Sequence, residues 1–478
     1  MFPSGKSEIK DRISSSIFYS SLSGLLVRKP EESIFEHIYD NFKNRGSSFA
    51  KDLARFFQYI SSFFAVSVFF LILSVVTLYK VIYYLNVEVN PFWYIYSLFA
   101  GIFLISRLPL AFMHKDMCAH FHRRNHNYVY PKVSIIIAAK NEEGSIYKTI
   151  KTCMKSDYPA EIECIAIDDG STDNTLAEMQ RASATFGSDK VIAFSFGKNK
   201  GKREAMYKGV RLSRNEMIVF VDSDSFPHKK SLKLLIQHFS DKSVGAVSGN
   251  TEVENLCSNS LTKMQSIRYA ISFGIFKTSE SYFGVVTCCP GCFSAYRKKA
   301  LLPVLSLWRN QEFLGTRSTF GDDRSLTNFV LRKWKVVYCE SAKATTIVPE
   351  KYLKFLKQQL RWKKSWVREG FVSSSFMWRK HPIAALSFYI NLILPMLGPI
   401  VVGWVLFITI SQRNPLFLIS FLFGVVTMGS LYGIYLYVTQ KEKYWFYMPF
   451  FSIFYTLIMI WQMPYAILTI RKTHWGTR

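Results

Sequence analysis

Three acidic clusters, one basic loop and one basic aromatic cluster carry the residue types best suited to chemistry in this chain. In Ile167-Asp168-Asp169-Gly170-Ser171-Thr172-Asp173 a strand runs into a turn eased by Gly170, and Ser171 or Thr172 can cap the helix that follows, so carboxylates project at a strand end. Phe220-Val221-Asp222-Ser223-Asp224-Ser225 follows a second strand. Residues two apart in an extended segment point the same way, so Asp222 and Asp224 can hold a hard divalent cation, Mg2+ or Mn2+, against phosphate oxygens. In Phe320-Gly321-Asp322-Asp323-Arg324 a carboxylate can take the proton of an attacking hydroxyl. Lys200-Gly201-Lys202-Arg203 follows a strand and opens a helix, a place for phosphate. Gln358-Gln359-Leu360-Arg361-Trp362, followed by Lys363, Lys364, Trp366 and Arg368, joins cations that can neutralise a departing diphosphate to indole faces that can stack on sugar rings. Each cluster has a plainer reading. Asp and Ser cap helices, acids favour helix N-termini, lysines solvate a face, and a basic aromatic helix lies on a membrane. The order and placement of the clusters, each near a strand end or helix start, favour the chemical reading.

A sheet is needed to bring such residues together. Apolar, β-rich runs at Val133–Ala139, Ile162–Ile167, Val191–Phe196, Met217–Val221 and Val244–Ser248 alternate with helical stretches. The pattern predicts a parallel sheet covered on both faces, with ligands bound beyond the carboxyl ends of its strands. The α/β domain therefore spans about 131–350, inside a soluble middle section that continues to about 380.

Apolar segments flank that section. Residues 61–79 are an uncharged run long enough to cross about 30 Å of hydrocarbon, and residues 92–106, extended to Met113, make a second. At the other end, 383–410 is broken by Pro395 and Pro399, 416–438 is a cleaner span, and 444–470 is aromatic with Pro449 and Pro464. The chain carries 60 Lys plus Arg against 34 acidic residues, a formal charge of +26. Basic stretches on both sides of the first two spans place the tail 1–57 and the middle section in the cytosol by the positive-inside rule. Keeping the basic tail 471–478 inside as well calls for an even number of C-terminal crossings, with one proline-broken segment interfacial, re-entrant or folded as a hairpin. The histidines at 120–126 read as juxtamembrane polar residues rather than metal ligands. No zinc-finger spacing and no aromatic RNA-binding consensus accompanies the charge, which argues against nucleic acid. No cleavable signal peptide opens the chain, so the eight cysteines are expected to be reduced thiols. Cys289-Pro-Gly-Cys292 has redox spacing but sits late in the domain, ahead of Ala295-Tyr296-Arg297.

In this order and at these separations, the clusters resemble the processive family-2 glycosyltransferases, which include cellulose, chitin and hyaluronan synthases. The resemblance runs from about residue 130 to the C-terminus and also accommodates the two N-terminal spans. Cys288-Cys289-Pro290-Gly291-Cys292 with Tyr296-Arg297, Gly321-Asp322-Asp323-Arg324, and the terminal Trp475-Gly476-Thr477-Arg478 are similar to the hyaluronan synthase branch and its chitin synthase neighbours. Two departures, Pro290 for the usual Ser and Cys292 for the usual Pro, fall in the segment that lines the acceptor side in that family. The absence of a long C-terminal regulatory domain sets the chain apart from cyclic-dinucleotide-regulated cellulose synthases.

What the resemblance implies is an α/β, glycosyltransferase-A-type (Rossmann-like) cytosolic domain inserted between N- and C-terminal transmembrane helices. These are a pair within 58–113, an interfacial amphipathic helix at 351–381 and helices over 382–470, in a multi-pass protein of the plasma membrane. It implies a UDP-sugar donor, a polysaccharide acceptor, the lipid bilayer as partner and Mg2+ or Mn2+ as cofactor. Asp169 and Lys202 contact the nucleotide; Asp222 and Asp224 lie at the diphosphate and metal. Asp323 is the general base with Asp322 beside it, and Gly291, Cys292 and Arg297 border the acceptor. Gln358, Arg361 and Trp362 hold the diphosphate and the acceptor end, and Trp475 and Arg478 close the nucleotide site. The reaction is then inversion at the anomeric carbon, giving a β-linked polymer, most closely of UDP-N-acetylglucosamine and UDP-glucuronate. The competing expectations are an N-acetylglucosamine homopolymer synthase, a non-processive lipid-linked transferase and a transporter with a nucleotide-binding domain. The last would need intramembrane charges around a central site, and the C-terminal spans are almost free of charge.

Overall fold

Runs of Val and Ile, whose branched side chains fit a pleated surface buried on both sides, build the centre of the sheet. The computed structural model describes residues 71, 74, 75, 78, 91–114 and 128–472. The expectations for the tail 1–57, for most of the run 61–79, for His120, His122 and His126, and for Trp475 and Arg478 lie outside the described residues. An apolar helix α1 (Pro91–Ile105) precedes the sheet domain and continues helical to His114. The strands are β1 (Val133–Ala139), β2 (Ile162–Asp168), β3 (Val191–Ser195), β4 (Met217–Phe220), β5 (Ser225–Pro227), β6 (Val244–Val253), β7 (Ser294–Arg297), a short hairpin of β8 (Glu312–Phe313) and β9 (Thr316–Arg317), and β10 (Lys335–Thr346). The five strands read from the sequence begin where expected.

The main sheet has the order β3-β2-β1-β4-β7-β6-β10-β5. β3, β2, β1 and β4 are parallel, with Val133 of β1 opposite both Ile162 of β2 and Met217 of β4. The expectation of a wholly parallel sheet is corrected at the other half: β7 runs antiparallel between β4 and β6, and β5 runs antiparallel on β10. Ser294-Ala-Tyr-Arg297 is too short and mixed to announce a strand by periodicity. It is held by Ala295 and Tyr296, both buried.

Alternation along β1 separates the two faces. Val133, Ile135, Ile137 and Ala139 join one core, and Ile136 joins the other. The second core contains Ile218, Phe220, Tyr296 and Tyr338 from the sheet and Leu326 and Val330 from a helix. It continues to Phe376, Met377 and Ala384, so the sheet domain and the helices that follow share one apolar interior.

The helices that position the site are α2 (Lys202–Leu212), α3 (Ser260–Ile271), α4 (Lys298–Arg309), α5 (Asp322–Leu331) and α6 (Tyr352–Met377). Helix α5 begins at Gly321, whose φ of +72° is the left-handed conformation that favours glycine. A Cβ at Gly321 would also overlap Ser365 Oγ of α6, so the same residue lets α6 pack against the start of α5. Helix α6 exposes Tyr352 and Leu353 beside Lys351, Lys354 and Lys357 in its first turns, whereas Lys363–Ser365 and Val367–Gly370 are buried. Its first turns carry the free amphipathic face expected of an interfacial helix.

Ile95–His114, α7 (Pro382–Ser411) and α8 (Leu416–Gln440) are long and apolar enough to cross a membrane. Pro395 and Pro399 do not break α7, contrary to expectation: the helix is continuous through both. Apolar helices tolerate proline where neighbours and local adjustment accommodate the freed backbone groups. The break falls later, where Trp445–Met459 and Gln462–Leu468 meet at 43° as a broken span or a re-entrant loop. Ile400, Phe407 and Ile410 of α7 and Ile419 and Phe423 of α8 are exposed, an apolar surface suited to lipid.

Candidate active site

The carboxyl ends of β2 and β4 and the N-termini of α2 and α5 supply the polar side chains of the site. At the end of β2, Asp168 accepts from Ser171 N at 3.0 Å and from Ser195 Oγ at 2.6 Å, tying β2 to β3. Asp169 accepts from Lys200 N at 2.7 Å and from Gly201 N at 3.0 Å, so its carboxylate fastens the loop that leads into α2. Burial raises the pKa of Asp169, and the two amides offset part of the rise.

That loop delivers Lys202 to the first position of α2, where its Nζ donates to Asp222 Oδ1 beyond β4. Burial opposes the charge on Lys202, but Asp222, Asp322 and Asp323 outweigh it and hold the ammonium above its ordinary pKa. Gly291 lies against Asp222: a Cβ there would come within 2.7 Å of Asp222 Oδ1. Asp224 is pushed up to about 6, by burial and then by its like-charged neighbour Asp222. Thr346 Oγ1 donates to Asp224 at 3.5 Å. Among the described residues no group of three or more His, Cys, Asp or Glu is gathered as a closed ion site. Two neighbouring carboxylates nevertheless fit a divalent cation that takes its remaining ligands from phosphate and water.

The two aspartates of α5 differ sharply. Asp322 is buried and accepts from Arg203 Nε at 2.8 Å, an internal counter-ion beside Asp323 whose charge also acts on Lys202 and Arg361. Asp323 is half-buried; its Oδ1 accepts from Arg324 N at 2.8 Å, and Cys288 Sγ stands 3.8 Å from its Oδ2. Burial lowers the pKa of Arg361 on α6, while Asp323, Asp322 and Asp222 act on it in the opposite sense. Trp362 stacks on Tyr269 of α3 with centroids 6.3 Å apart, and Arg268 lies over its indole at 5.1 Å. Burial raises the pKa of Tyr269, and the nearby Cys292, Asp224 and Asp222 add to the rise, so the ring on which Trp362 stacks is a neighbour of those carboxylates. Gln358 is partly exposed one turn before Trp362 and accepts from Gln359 Nε2 at 3.4 Å.

Asp169, Lys202, Asp222, Asp224, Gly291, Cys292, Asp323, Arg361 and Trp362 are thus linked through contacts and mutual charge. Arg297 is not among them. It ends β7 opposite Met217, at the start of β4, and donates to Phe239 O at 2.9 Å and Val244 O at 3.2 Å. Antiparallel β7 carries it to the end of the sheet away from the aspartates, so its expected role at the acceptor is corrected to a backbone clamp. The cysteines of the described chain are free thiols. Burial pushes Cys288 up to about 11 and Cys289 up to about 12, which leaves them protonated and unsuited to redox exchange.

A buried network holds the site together, and sequence reasoning did not find it. Besides Asp322, Arg203 donates to Trp308 O at 2.7 Å. Gln311 accepts from Ser325 Oγ at 2.6 Å and donates to Glu369 at 3.0 Å. Glu369 pairs with Arg368 at 2.8 Å, and Arg368 donates to Phe320 O at 2.6 Å. The helices of Lys202, Asp323 and Arg361 are thereby fixed to one another. Isolated polar residues on amphipathic helices carry no mark in sequence that they face inward.

The profile of the family described as Glycosyl transferase family 2 matches residues 134–304. Hyaluronan synthase of Streptococcus pyogenes is 29% identical over 414 residues, covering 85% of this chain and 96% of that protein. An N-acetylglucosaminyltransferase of Azorhizobium caulinodans is 29% identical, over 73% of this chain and 87% of its own. Among solved structures, a mannosyltransferase of Pyrobaculum calidifontis in complex with GDP-Man and Mn2+ aligns with a TM-score of 0.48 at 16% identity, covering 78% of this chain and 100% of that one.

Proposed function

Because the chain is a family-2 glycosyltransferase of glycosyltransferase-A-like fold, a processive synthase of the hyaluronan synthase type, we propose that it adds N-acetylglucosamine and glucuronate alternately from their UDP donors to a β-linked chain, which it passes into its own membrane helices. One observation carries the reading of the site. Lys202, Asp222, Asp323 and Arg361, from four separate segments, share one constellation of alternating charge.

In this reading the donor's diphosphate lies among Lys202, Arg361 and Gln358, with Asp169 holding the loop that presents Lys202. The acceptor hydroxyl lies at Asp323, and Trp362 stacks on the terminal sugar. Asp323 takes the hydroxyl proton as the oxygen attacks the anomeric carbon. The bond from that carbon to the diphosphate breaks on the opposite face, and its electron pair leaves with UDP. The α-linked donor thereby becomes a β-linkage. Asp224 and Asp222 would hold Mg2+ or Mn2+, which supplies positive charge to the leaving diphosphate when bound. Gly291 and Cys292 border the acceptor, and Trp475 and Arg478 are assigned to closing the nucleotide site. The domain faces the cytosol, where UDP-sugars are made, and the apolar helices lie in the plasma membrane.

The name of the Azorhizobium relative favours a second reading, a homopolymer of N-acetylglucosamine. A donor panel on purified, detergent-solubilised protein separates the two. UDP release and high-mass product are followed with UDP-N-acetylglucosamine alone, UDP-glucuronate alone, both together and UDP-glucose. Polymer only with the first two together, lost on chelation and restored by Mg2+ or Mn2+, is expected. Polymer from UDP-N-acetylglucosamine alone would replace the first reading with the second.

A further inference from the structure

Helix α3 runs into a π-helical turn, Ser272–Lys277. One extra residue in a turn rotates the side chains after it by about 100°, and such turns recur at functional sites. Thr278 Oγ1 donates to Phe273 O at 2.7 Å and satisfies a carbonyl of this turn. Lys277, its last residue, is 8% exposed. The Nζ lies 3.9 Å from the centre of the Phe273 ring and donates to Ser248 Oγ of β6 at 3.4 Å. No carboxylate forms an ion pair with it among the described residues. Lysine is almost never buried without a partner, because nothing then offsets the desolvation of its ammonium.

The loop beside Lys277 reaches the acceptor base. Cys288 Sγ stands 3.8 Å from Asp323 Oδ2. Cys289 N donates to Thr327 Oγ1 at 2.9 Å, and that hydroxyl donates to Asp323 O at 2.7 Å, so the loop is fastened to the first turn of α5. Burial lowers the pKa of Lys277; Cys288, Cys289 and Asp323 act against that fall and Arg324 adds to it. The other charges about the base are committed elsewhere. Lys202 pairs with Asp222, and Asp322 with Arg203. Arg324 also acts on Glu280, whose carboxylate accepts from Thr287 N at 3.0 Å. Arg361 and Lys202 face the donor's diphosphate in the proposed reaction. Cys288 and Tyr296, both raised by burial, stay neutral. Among the described residues this leaves a buried ammonium that pairs with no acid and a catalytic carboxylate that pairs with no cation.

We infer that Lys277 is a positioning residue for the acceptor step, the counter-charge that keeps Asp323 ionised while the diphosphate occupies Lys202 and Arg361. A bound diphosphate adds negative charge to a site already rich in carboxylates, and like charge favours the protonated form of Asp323. A protonated Asp323 cannot take the acceptor's proton. The inference rests on the reading of Asp323 as the base.

The test uses the full chain in lipid nanodiscs with both UDP donors saturating, and follows UDP release between about pH 5 and pH 9, where the acid limb of kcat reports the base in the substrate-bound enzyme. Saturating Mn2+ keeps the metal carboxylates from titrating. Removing a nearby cation raises a carboxylate's pKa, so Lys277→Met is expected to move the limb up by about one pH unit. Once the base is ionised the variant recovers, with a plateau rate within about threefold of wild type and KM for both donors within about twofold. Lys277→Arg, which keeps the charge, holds the limb within about 0.3 of a pH unit. Methionine replaces an unpaired buried charge by apolar surface, so Tm should not fall; Lys277→Gln gives the same readings should the Met variant not accumulate. An unmoved limb in the uncharged variant overturns the inference. So does an equal loss of rate at every pH, the mark of a packing role against Phe273 and Ser248, or a limb moved as far by Lys277→Arg as by Lys277→Met. Asp323→Asn is read first: wild-type turnover there removes the base assignment itself, whereas a slow Asp323→Asn beside an unmoved Lys277→Met limb removes this inference alone.

Discussion

Exchanging Asp322 and Asp323 for asparagine, one at a time, separates two residues that sequence alone makes look equivalent. Asp322 and Arg203 are a buried pair with side chains 5% and 7% exposed, joined at 2.8 Å. Asn at 322 leaves the guanidinium without its counter-ion, and breaking one side of a buried pair costs about 3–5 kcal/mol. For a domain of 150–250 residues each kcal/mol moves Tm by about 2–4 °C, so Tm should fall by on the order of 10 °C. Asp323 has no such pair; its carboxylate receives Arg324 N and faces Cys288. Asn at 323 keeps the shape and removes the base, which costs about 10²–10⁴-fold in rate, or about 2.7–5.4 kcal/mol on the barrier. The change in stability should stay near that of an ordinary surface substitution, about 0.5 kcal/mol, or about 1–2 °C in Tm. The assays are UDP release per folded molecule and thermal unfolding by tryptophan fluorescence in the same detergent. Wild-type turnover in Asp323→Asn would refute the base, and a dead Asp322→Asn with unshifted Tm would refute the division of labour.

Gly321→Ala forces a side chain into a left-handed position worth about 1–2 kcal/mol and into Ser365, so Tm should drop by several degrees in the same unfolding assay; an unchanged Tm would show that α5 and α6 are not locked there. Burial, with Arg268 adding to it, pulls Lys363 down to about 7 from 10.5. The unfolded chain then binds more protons between those values, so this group's contribution makes stability lowest below pH 7 and rising toward pH 10.5; Lys363→Met should flatten that rise in Tm against pH, and an identical slope would refute it.

Much of the site was legible before any coordinates because its residues sit where backbone punctuation is strongest. Asp169, Asp222 and Asp224 follow apolar runs that only a buried strand explains, and Asp323 follows a glycine that starts a helix. Strand pairing beyond the local run was not legible. β7 is four residues long, and its direction depends on Met217 facing Arg297 and Phe220 facing Ser294, pairings about 75 to 80 positions apart in sequence. That reversal moved Arg297 out of the site.

Sequence by itself determined the apolar spans within the described residues, the five strands β1 to β4 and β6, and the carboxylates near their ends, because hydrophobic period and turn residues are local signals. Tertiary structure alone decided which of two adjacent aspartates is buried against Arg203 and that α7 absorbs both of its prolines. Those outcomes depend on desolvation and on partners supplied by distant segments, and a charged side chain's neighbours are not written in the residues beside it.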